Sequence, residues 1–134
     1  MIPQAHNNNA GPWEGLEFYA RGLAKAGREV FVMAGGMYAG TQRTIGLGAV
    51  AVPSSTWKVV VVLDSVGQGA HEVTAQTRVI AINIPNDDAQ VSLAADWKSY
   101  RVSARSIEAA TGLDFNADVG KQVQDVIETK VDAL

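Results

Sequence analysis

Four side chains near the start of the chain recur at every fourth position and could do chemistry together. Asn9, Trp13, Glu17 and Arg21 bring an amide oxygen, an indole ring, a carboxylate and a guanidinium. Residues four apart share one face of an α-helix, and helical side chains lean towards the N-terminus. We therefore expect Glu17 and Arg21 to reach back towards Asn9. Such a set of groups would suit a hydrated Mg²⁺ and a phosphodiester.

A purely structural interpretation of the same residues is left open by their spacing. Asn9, the last of three consecutive asparagines, could cap the helix by accepting hydrogen bonds from its first N–H groups. Glu17 and Arg21 could form an i,i+4 ion pair that contributes about 0.3–0.5 kcal/mol, with Trp13 in the core. A structural role predicts changes in stability on substitution, whereas a functional role predicts changes in turnover.

Helices and strands that would position these residues follow from the apolar pattern. Residues 10–26 show helical periodicity, and residues 119–131 show it again. Ser106 is expected to cap a short helix over residues 107–111 that ends at Gly112. Three segments rich in β-branched residues predict strands: 29–34, 57–63 and 78–84. The second of them carries four consecutive valines, which indicates burial on both faces.

This order of elements, with hairpin-like links, predicts an α+β fold with a largely antiparallel sheet and packed helices. At 134 residues the chain is expected to form a single domain over residues 1–134. Gly46 to Ala51 fits the looser dinucleotide pattern G-x-G-x-x-A. That motif requires a helix to open on it, whereas Pro53 and a β-branched segment follow here, so nucleotide binding is disfavoured.

Composition excludes several classes of function. The chain has no cysteine, which rules out disulfides, thiolate metal sites and cysteine nucleophiles. A net charge of −3 argues against coating nucleic acid by bulk electrostatics, although residues 1–60 carry +2 and residues 61–134 carry −5. An anionic ligand is therefore expected on the first half. No apolar run is longer than that at residues 59–63, which predicts no membrane span, and no signal peptide is visible.

Residues 2–21, IPQAHNNNAGPWEGLEFYAR, resemble the second signature of the DNA/RNA non-specific endonucleases. These are the sugar-non-specific ββα-metal (His-Me finger) nucleases, whose pattern is N-x-x-P-Q followed by N-x-G-x-W-x-x-L-E-x-x-x-R. The later segments VFVMAGGMY, VPSSTWKVVV, RVIAINIPN and WKSYRVSARSIEAATGLDF are also similar to that family. The resemblance covers nearly the whole chain and looks closest to cyanobacterial members, which share an ESKVD-like tail at residues 128–132.

The resemblance implies a role for each matched residue. Asn9 falls where the family has the single protein ligand of Mg²⁺, for which Mn²⁺ is the alternative. Glu17 matches the carboxylate that orients the waters on the metal, and Arg21 matches the arginine that contacts the scissile phosphate. In this family the metal stabilises the leaving 3′ oxygen while a histidine activates water, and DNA and RNA are cut to 5′-phosphate ends.

Departures from the family pattern shape what we expect of this chain. The general-base histidine of the family lies in an upstream D-R-G-H motif, which this sequence lacks, and neither His6 nor His71 matches a catalytic position. Met1 stands where the residue after another active-site Asn would be, and Gly36 stands where the family often has Pro.

The chain therefore resembles the C-terminal part of a nuclease, incomplete at the N-terminus and inactive alone. Its expected partners are DNA, RNA and the missing N-terminal half or a second copy. An uncovered sheet edge that invites dimerisation is also expected. The alternative is a non-catalytic nucleic-acid or partner-binding remnant. Family members are commonly secreted or periplasmic, but this sequence does not decide the compartment.

Overall fold

The computed structural model describes residues 3–38, 43–46, 50–116 and 118–134. Its main elements in chain order are α1 (His6–Asn8), a π-helical turn (Asn9–Trp13), α2 (Glu14–Lys25), β1 (Glu29–Met37), β2 (Arg43–Ile45), β3 (Val50–Val52), β4 (Ser55–Leu63), β5 (Arg78–Pro85), β6 (Arg101–Val102), α3 (Ala104–Thr111) and α4 (Lys121–Ile127). Short 3₁₀ turns cover Ala70–Glu72 and Trp97–Tyr100.

The main sheet is antiparallel and has the strand order β1-β4-β5-β6, while β2 and β3 pair separately as a small hairpin. The predicted α+β class with an antiparallel sheet is confirmed. All three predicted strands are present, and β1 continues to Met37, three residues further than expected. The four consecutive valines of β4 are buried on both faces, as their sequence indicated.

Two hydrophobic clusters lie on opposite faces of the sheet. Val60 and Val62 point to the face covered by α2, where they pack in one cluster with Leu16. Val59 and Val61 point to the other face, where their cluster includes residues of α3 and α4. Burying a side chain of this size contributes about 1.5–3 kcal/mol, so β4 is the strand around which both layers are assembled.

The helix predicted over residues 10–26 begins earlier than expected and is not continuous. Helical structure begins at His6, turns into a π-helix at Asn9 and continues as α2 to Lys25. None of the asparagine side chains makes a capping hydrogen bond, and Ala5 occupies the N-cap position of α1. The expectation that Asn9 caps the helix is therefore wrong.

Bounds of the C-terminal helices also differ from the prediction. Ser103, not Ser106, caps α3, and its hydroxyl oxygen accepts a hydrogen bond from the Ser106 backbone N–H at 3.2 Å. Gly112 ends the helix as predicted, in the left-handed conformation with φ of 77°. α4 covers Lys121–Ile127 rather than residues 119–131, because the apolar periodicity continues beyond the hydrogen-bonded helix.

β1 forms one edge of the main sheet, and among the described residues it pairs only with β4. Phe31 and Val32 on this strand are 45% and 51% exposed, so the edge is flanked by open apolar surface.

Residues 47–49 of the G-x-G-x-x-A pattern lie outside the described residues, but Val50–Val52 form a strand where a nucleotide fingerprint needs a helix. No helix in the described ranges is long and apolar enough to cross a membrane.

Candidate functional site

A π-helical turn interrupts the regular helix at the start of the four-residue series. The turn spans Asn9–Trp13, and within it Gly11 has φ of −98° and ψ of −112°, outside the helical region. A Cβ at Gly11 would lie 2.9 Å from the backbone oxygen of Leu93, so only glycine lets the turn pack against that loop. Pro12 inside the turn also has no N–H to donate. Asn9 is therefore rotated out of the regular register assumed from its spacing, and π-helical turns are frequent at functional sites.

Three consecutive asparagines are used in three different ways. Asn7 donates through Nδ2 to the backbone oxygen of Val91 at 3.0 Å. Asn8 is fully buried, and its Nδ2 donates to the hydroxyl of Thr56 at 3.0 Å and to the backbone oxygen of Pro85 at 3.0 Å. The Asn9 side chain is exposed and has no hydrogen-bond partner among the described residues. Its two neighbours thus anchor the turn while its own amide stays free for a ligand.

Glu17 is paired with a lysine that the sequence interpretation missed. Lys58 Nζ lies 3.2 Å from Glu17 Oε1 and 4.0 Å from the centroid of the Trp13 ring. The Lys58 side chain is 4% exposed, whereas that of Glu17 is 44% exposed. The expected Glu17–Arg21 ion pair is not formed. A charged residue inside the apolar run WKVVVVL was the available signal for Lys58.

Burial lowers the pKa of Lys58, and the nearby Glu17 carboxylate partly opposes this shift. The positive charge of Arg21 lowers the pKa of Lys58 further. These electrostatic effects show that the two cations and the one carboxylate act on each other, with a net charge of +1. Such a cluster favours an anion.

Arg21 is exposed on α2 and has no acidic partner in the part of the chain that the structure describes. The other arginines with described side chains each have one. Arg28 pairs with Asp64, Arg78 and Arg101 pair with Asp132, and Arg105 contacts three carboxylates. An unpaired guanidinium beside a carboxylate–ammonium pair is therefore available to bind an external anion.

Glu17, Arg21 and Lys58 line one groove of about 410 Å³ together with Trp13. Val30, Val32 and Ala34 of β1 form its apolar wall. The structure thus brings Glu17 and Arg21 together as predicted and adds Lys58 to them. Asn9, the first residue of the π-helical turn, is not among the residues that line this groove, whereas Trp13, the last residue of the turn, is.

A cluster of carboxylates lies on the opposite face of the sheet. One carboxylate oxygen each of Glu108, Asp114 and Glu128 lie within 4.8 Å of one another. Arg105 already neutralises two of these carboxylates, at 3.1 Å from Glu108 and 2.9 Å from Glu128. Desolvation raises the pKa of Glu108. These contacts connect α3 to the tail of the chain and give the cluster a structural explanation.

The two histidines are exposed. His6 is the first residue of α1, and His71 lies in the 3₁₀ turn Ala70–Glu72. Neither ring has an acidic partner among the described residues.

The antiparallel sheet with packed helices is the α+β fold that the resemblance to ββα-metal nucleases implied. The chain matches the family model of the DNA/RNA non-specific endonucleases over residues 1–122. It is 47% identical over 135 residues to a nuclease from Nostoc sp., an alignment that covers 98% of this chain and 46% of that protein. The chain belongs to the DNA/RNA non-specific endonuclease family.

More distant relatives agree with this assignment. The chain is 30% identical over 125 residues to the mitochondrial nuclease EXOG of Xenopus laevis, covering 86% of this chain and 33% of that protein. A crystal structure of the EndoG/EndoGI complex contains a chain that matches with a TM-score of 0.65 at 24% identity. That match covers 91% of this chain and 50% of the other, and it confirms the fold. The chain therefore spans about half the length of the Nostoc nuclease and of the chain in the EndoG/EndoGI complex, and a third of the length of EXOG.

Proposed function

We propose that the chain carries the metal-binding and phosphate-binding part of an endonuclease that hydrolyses phosphodiester bonds of DNA and RNA without sequence preference, leaving 5′-phosphate ends. The observation that carries this proposal is Arg21, the unpaired guanidinium beside Glu17 in the groove. A guanidinium donates two parallel hydrogen bonds to a phosphate and stays protonated throughout, which suits charge that develops during phosphodiester cleavage.

Asn9 is the proposed ligand of Mg²⁺, with Mn²⁺ as a substitute. Mg²⁺ takes oxygen ligands and keeps several of its waters, so one exposed amide oxygen is a fitting protein contribution. Neighbouring Asn7 and Asn8 hold the backbone of the turn, so Asn9 can use its side chain for the ion without loosening the fold. A bound Mg²⁺ would supply Lewis-acid stabilisation of the leaving 3′ oxygen.

Glu17 and Arg21 would have separate roles when the metal is bound. The Glu17 carboxylate would accept hydrogen bonds from metal-bound waters and fix their orientation. Arg21 would donate to the scissile phosphate and stabilise its charge in the transition state. Lys58 shares the groove with both and keeps its local charge positive, which favours the approach of a polyanion.

We propose that this chain alone has nuclease activity at or below the limit of detection. Its sequence contains no D-R-G-H motif, and a general base contributes about 10² to 10⁴ in rate. The N-terminal half of a family member, which brings this motif, would bind at the open edge of β1, and a second copy of this chain could cover the same edge without bringing the motif. The exposed Phe31 and Val32 at that edge support the proposal.

The test joins the chain to the N-terminal half of a family member that carries D-R-G-H, in one polypeptide or mixed in trans. We expect Mg²⁺-dependent cleavage of plasmid DNA and of RNA, with 5′-phosphate ends shown by direct ligation of the products. Two variants of this fusion are then compared. Arg21→Ala should lose activity, and Lys25→Ala on the same helix is the matched control that should keep it. Equal activity of the two variants would remove Arg21 from the site.

A non-catalytic remnant that only binds nucleic acid is the alternative outcome. It predicts that the chain retards DNA in a salt-dependent manner, while the fusion never cleaves under any divalent cation. Binding that is lost in Arg21→Ala, together with no cleavage, would support this alternative over the nuclease.

A further inference from the structure

Lys58 is a buried cation at a position where the fold itself favours an apolar residue. It lies on the central strand β4, in register with Ala34 of β1 on one side and Ile82 of β5 on the other. Its backbone neighbours along β4 are Trp57 and Val59, both buried. Burying an ammonium costs free energy unless it is paired. Such a conflict between local pattern and sheet position is typical of functional sites.

The ammonium group of Lys58 contacts the face of the helix that bears the candidate site. Its ammonium bonds Glu17 Oε1 at 3.2 Å and lies 4.0 Å from the Trp13 ring centroid. Glu17 Oε2 has no hydrogen-bond partner among the described residues. The side chain of Glu17 is 44% exposed, so this second oxygen is open to water. Lys58 on the sheet thus holds one carboxylate oxygen of Glu17, while the other can accept a hydrogen bond from water.

We propose that Lys58 is a positioning residue that holds the Glu17 carboxylate against the sheet, in the orientation needed to accept hydrogen bonds from metal-bound water. This inference rests on the proposed function, in which Glu17 orients those waters. An exposed glutamate on a helix samples many rotamers, and fixing one oxygen removes most of that freedom before the metal arrives. The rigid sheet, rather than another loop, then sets the geometry of the site.

A simple electrostatic role for Lys58 predicts the opposite sign of effect. Removing a positive charge near a divalent cation strengthens cation binding by Coulomb's law. Loss of an orienting partner weakens it, typically by about 10- to 100-fold. Weaker metal binding on removal of Lys58 would therefore indicate a positioning role, whereas stronger binding would indicate a role of its charge alone.

The experiment titrates Mn²⁺ into the whole chain and follows paramagnetic broadening of the Asn9 side-chain amide signals by NMR. Lys58→Met removes the charge at similar length, and Lys58→Arg keeps a cation that can still bond Glu17. Lys98→Met is the matched control, because Lys98 also lies over a tryptophan ring, at 5.8 Å, but has no ion pair among the described residues. We expect Lys58→Met to weaken Mn²⁺ binding about tenfold, Lys58→Arg to restore most of it, and Lys98→Met to leave it unchanged.

A second measurement needs no variant and remains decisive if Lys58→Met fails to fold. Relaxation of the γ-methylene groups should show Glu17 ordered in the wild-type chain and Glu14, exposed one turn earlier on α2, mobile. Equal mobility of the two glutamates would overturn the positioning role. So would tighter or unchanged Mn²⁺ binding in Lys58→Met, or no recovery in Lys58→Arg. If wild-type Asn9 shows no broadening at all, the proposed metal site itself is wrong, which is a distinct result.

Discussion

Asn8 Nδ2 donates a hydrogen bond of 3.0 Å to the hydroxyl of Thr56, which joins the residue before the proposed metal ligand to the central strand β4. Two positions along the same strand, Lys58 bonds Glu17. Successive residues on one face of a strand alternate with those on the other, so Thr56 and Lys58 lie on the face that α2 covers. β4 therefore holds the kinked helix at two points, one on each side of the π-helical turn.

Asn8→Ala should destabilise the fold without a specific effect on metal binding. The substitution removes a buried amide and leaves the Thr56 hydroxyl and the Pro85 carbonyl without this donor. Unsatisfied buried groups cost about 1–3 kcal/mol each, so we expect a loss of about 2–4 kcal/mol in the free energy of unfolding, measured by urea denaturation. A change below about 0.5 kcal/mol would contradict the anchoring role.

Asn9→Ala should leave the stability of the fold nearly unchanged and abolish metal-dependent activity. Because its side chain is exposed and makes no hydrogen bond among the described residues, we expect the unfolding free energy to change by less than about 0.5 kcal/mol. In the restored nuclease, metal dependence and nearly all activity should be lost, because one protein oxygen anchors a cation otherwise held by water. Turnover per folded molecule as a function of Mg²⁺ concentration measures this, with urea midpoints as the control.

Arg21→Ala should lower kcat more than it raises KM in the restored nuclease. The guanidinium is proposed to act on charge that develops in the transition state, and removing one such donor typically costs about 10²- to 10³-fold. Lys25→Ala, also an exposed cation of α2, should leave kcat within about twofold if surface charge contributes little there. Steady-state kinetics on a short duplex of defined length would measure both. An effect confined to KM would instead assign Arg21 to substrate binding.

Within the Lys58–Glu17 pair, removing the carboxylate should lower stability more than removing the ammonium. Glu17→Gln leaves a buried ammonium without its counter-charge, and we expect a loss of about 1–3 kcal/mol. Lys58→Met leaves a carboxylate that water can solvate, since the Glu17 side chain is 44% exposed, and replaces a buried charge by an apolar chain. Stability should then stay within about 1 kcal/mol of wild type or rise. Equal losses in the two variants would contradict this asymmetry.

The same pair predicts the pH dependence of stability. Burial lowers the pKa of Lys58 from its ordinary 10.5, so the unfolded chain binds more protons than the folded chain in the window just below pH 10.5. The contribution of Lys58 to the free energy of unfolding therefore rises as pH increases through that window and is lowest at lower pH. Relative to wild type, Lys58→Met should lack this rise. Glu17→Gln should move the Lys58 pKa lower still, which NMR of the lysine ε-methylene would show.

Association through β1 is the prediction that concerns assembly. The strand is an unpaired edge among the described residues, with Val32 51% exposed, and such edges favour pairing with another chain. We expect concentration-dependent dimers or larger species in light scattering, reduced by Val32→Lys. Val66→Lys, at a valine 72% exposed in the loop after β4, is the control and should not change association. A monodisperse monomer at high concentration would oppose the prediction.

Much of the scaffold could be predicted from local pattern. Runs of β-branched residues identified β1, β4 and β5, and the buried valines of β4 followed from an apolar stretch with no polar alternation. The left-handed Gly112 and the resemblance of the first 21 residues to a nuclease signature are likewise properties of short segments. These features depend on neighbours in the chain, and the four-residue spacing correctly brought Glu17 and Arg21 into one groove.

Only the tertiary structure decided how those residues are used. At Gly11 the kinked turn packs against the backbone of Leu93, a contact that no helical periodicity encodes. Asn8 rather than Asn9 is buried because of its partners on β4 and β5, so three identical side chains in sequence acquire three different roles. Glu17 bonds Lys58, 41 positions away, instead of Arg21, four away. A buried ammonium must find a counter-charge, whereas exposed ions can remain solvated, and burial is set by the packing of helix on sheet.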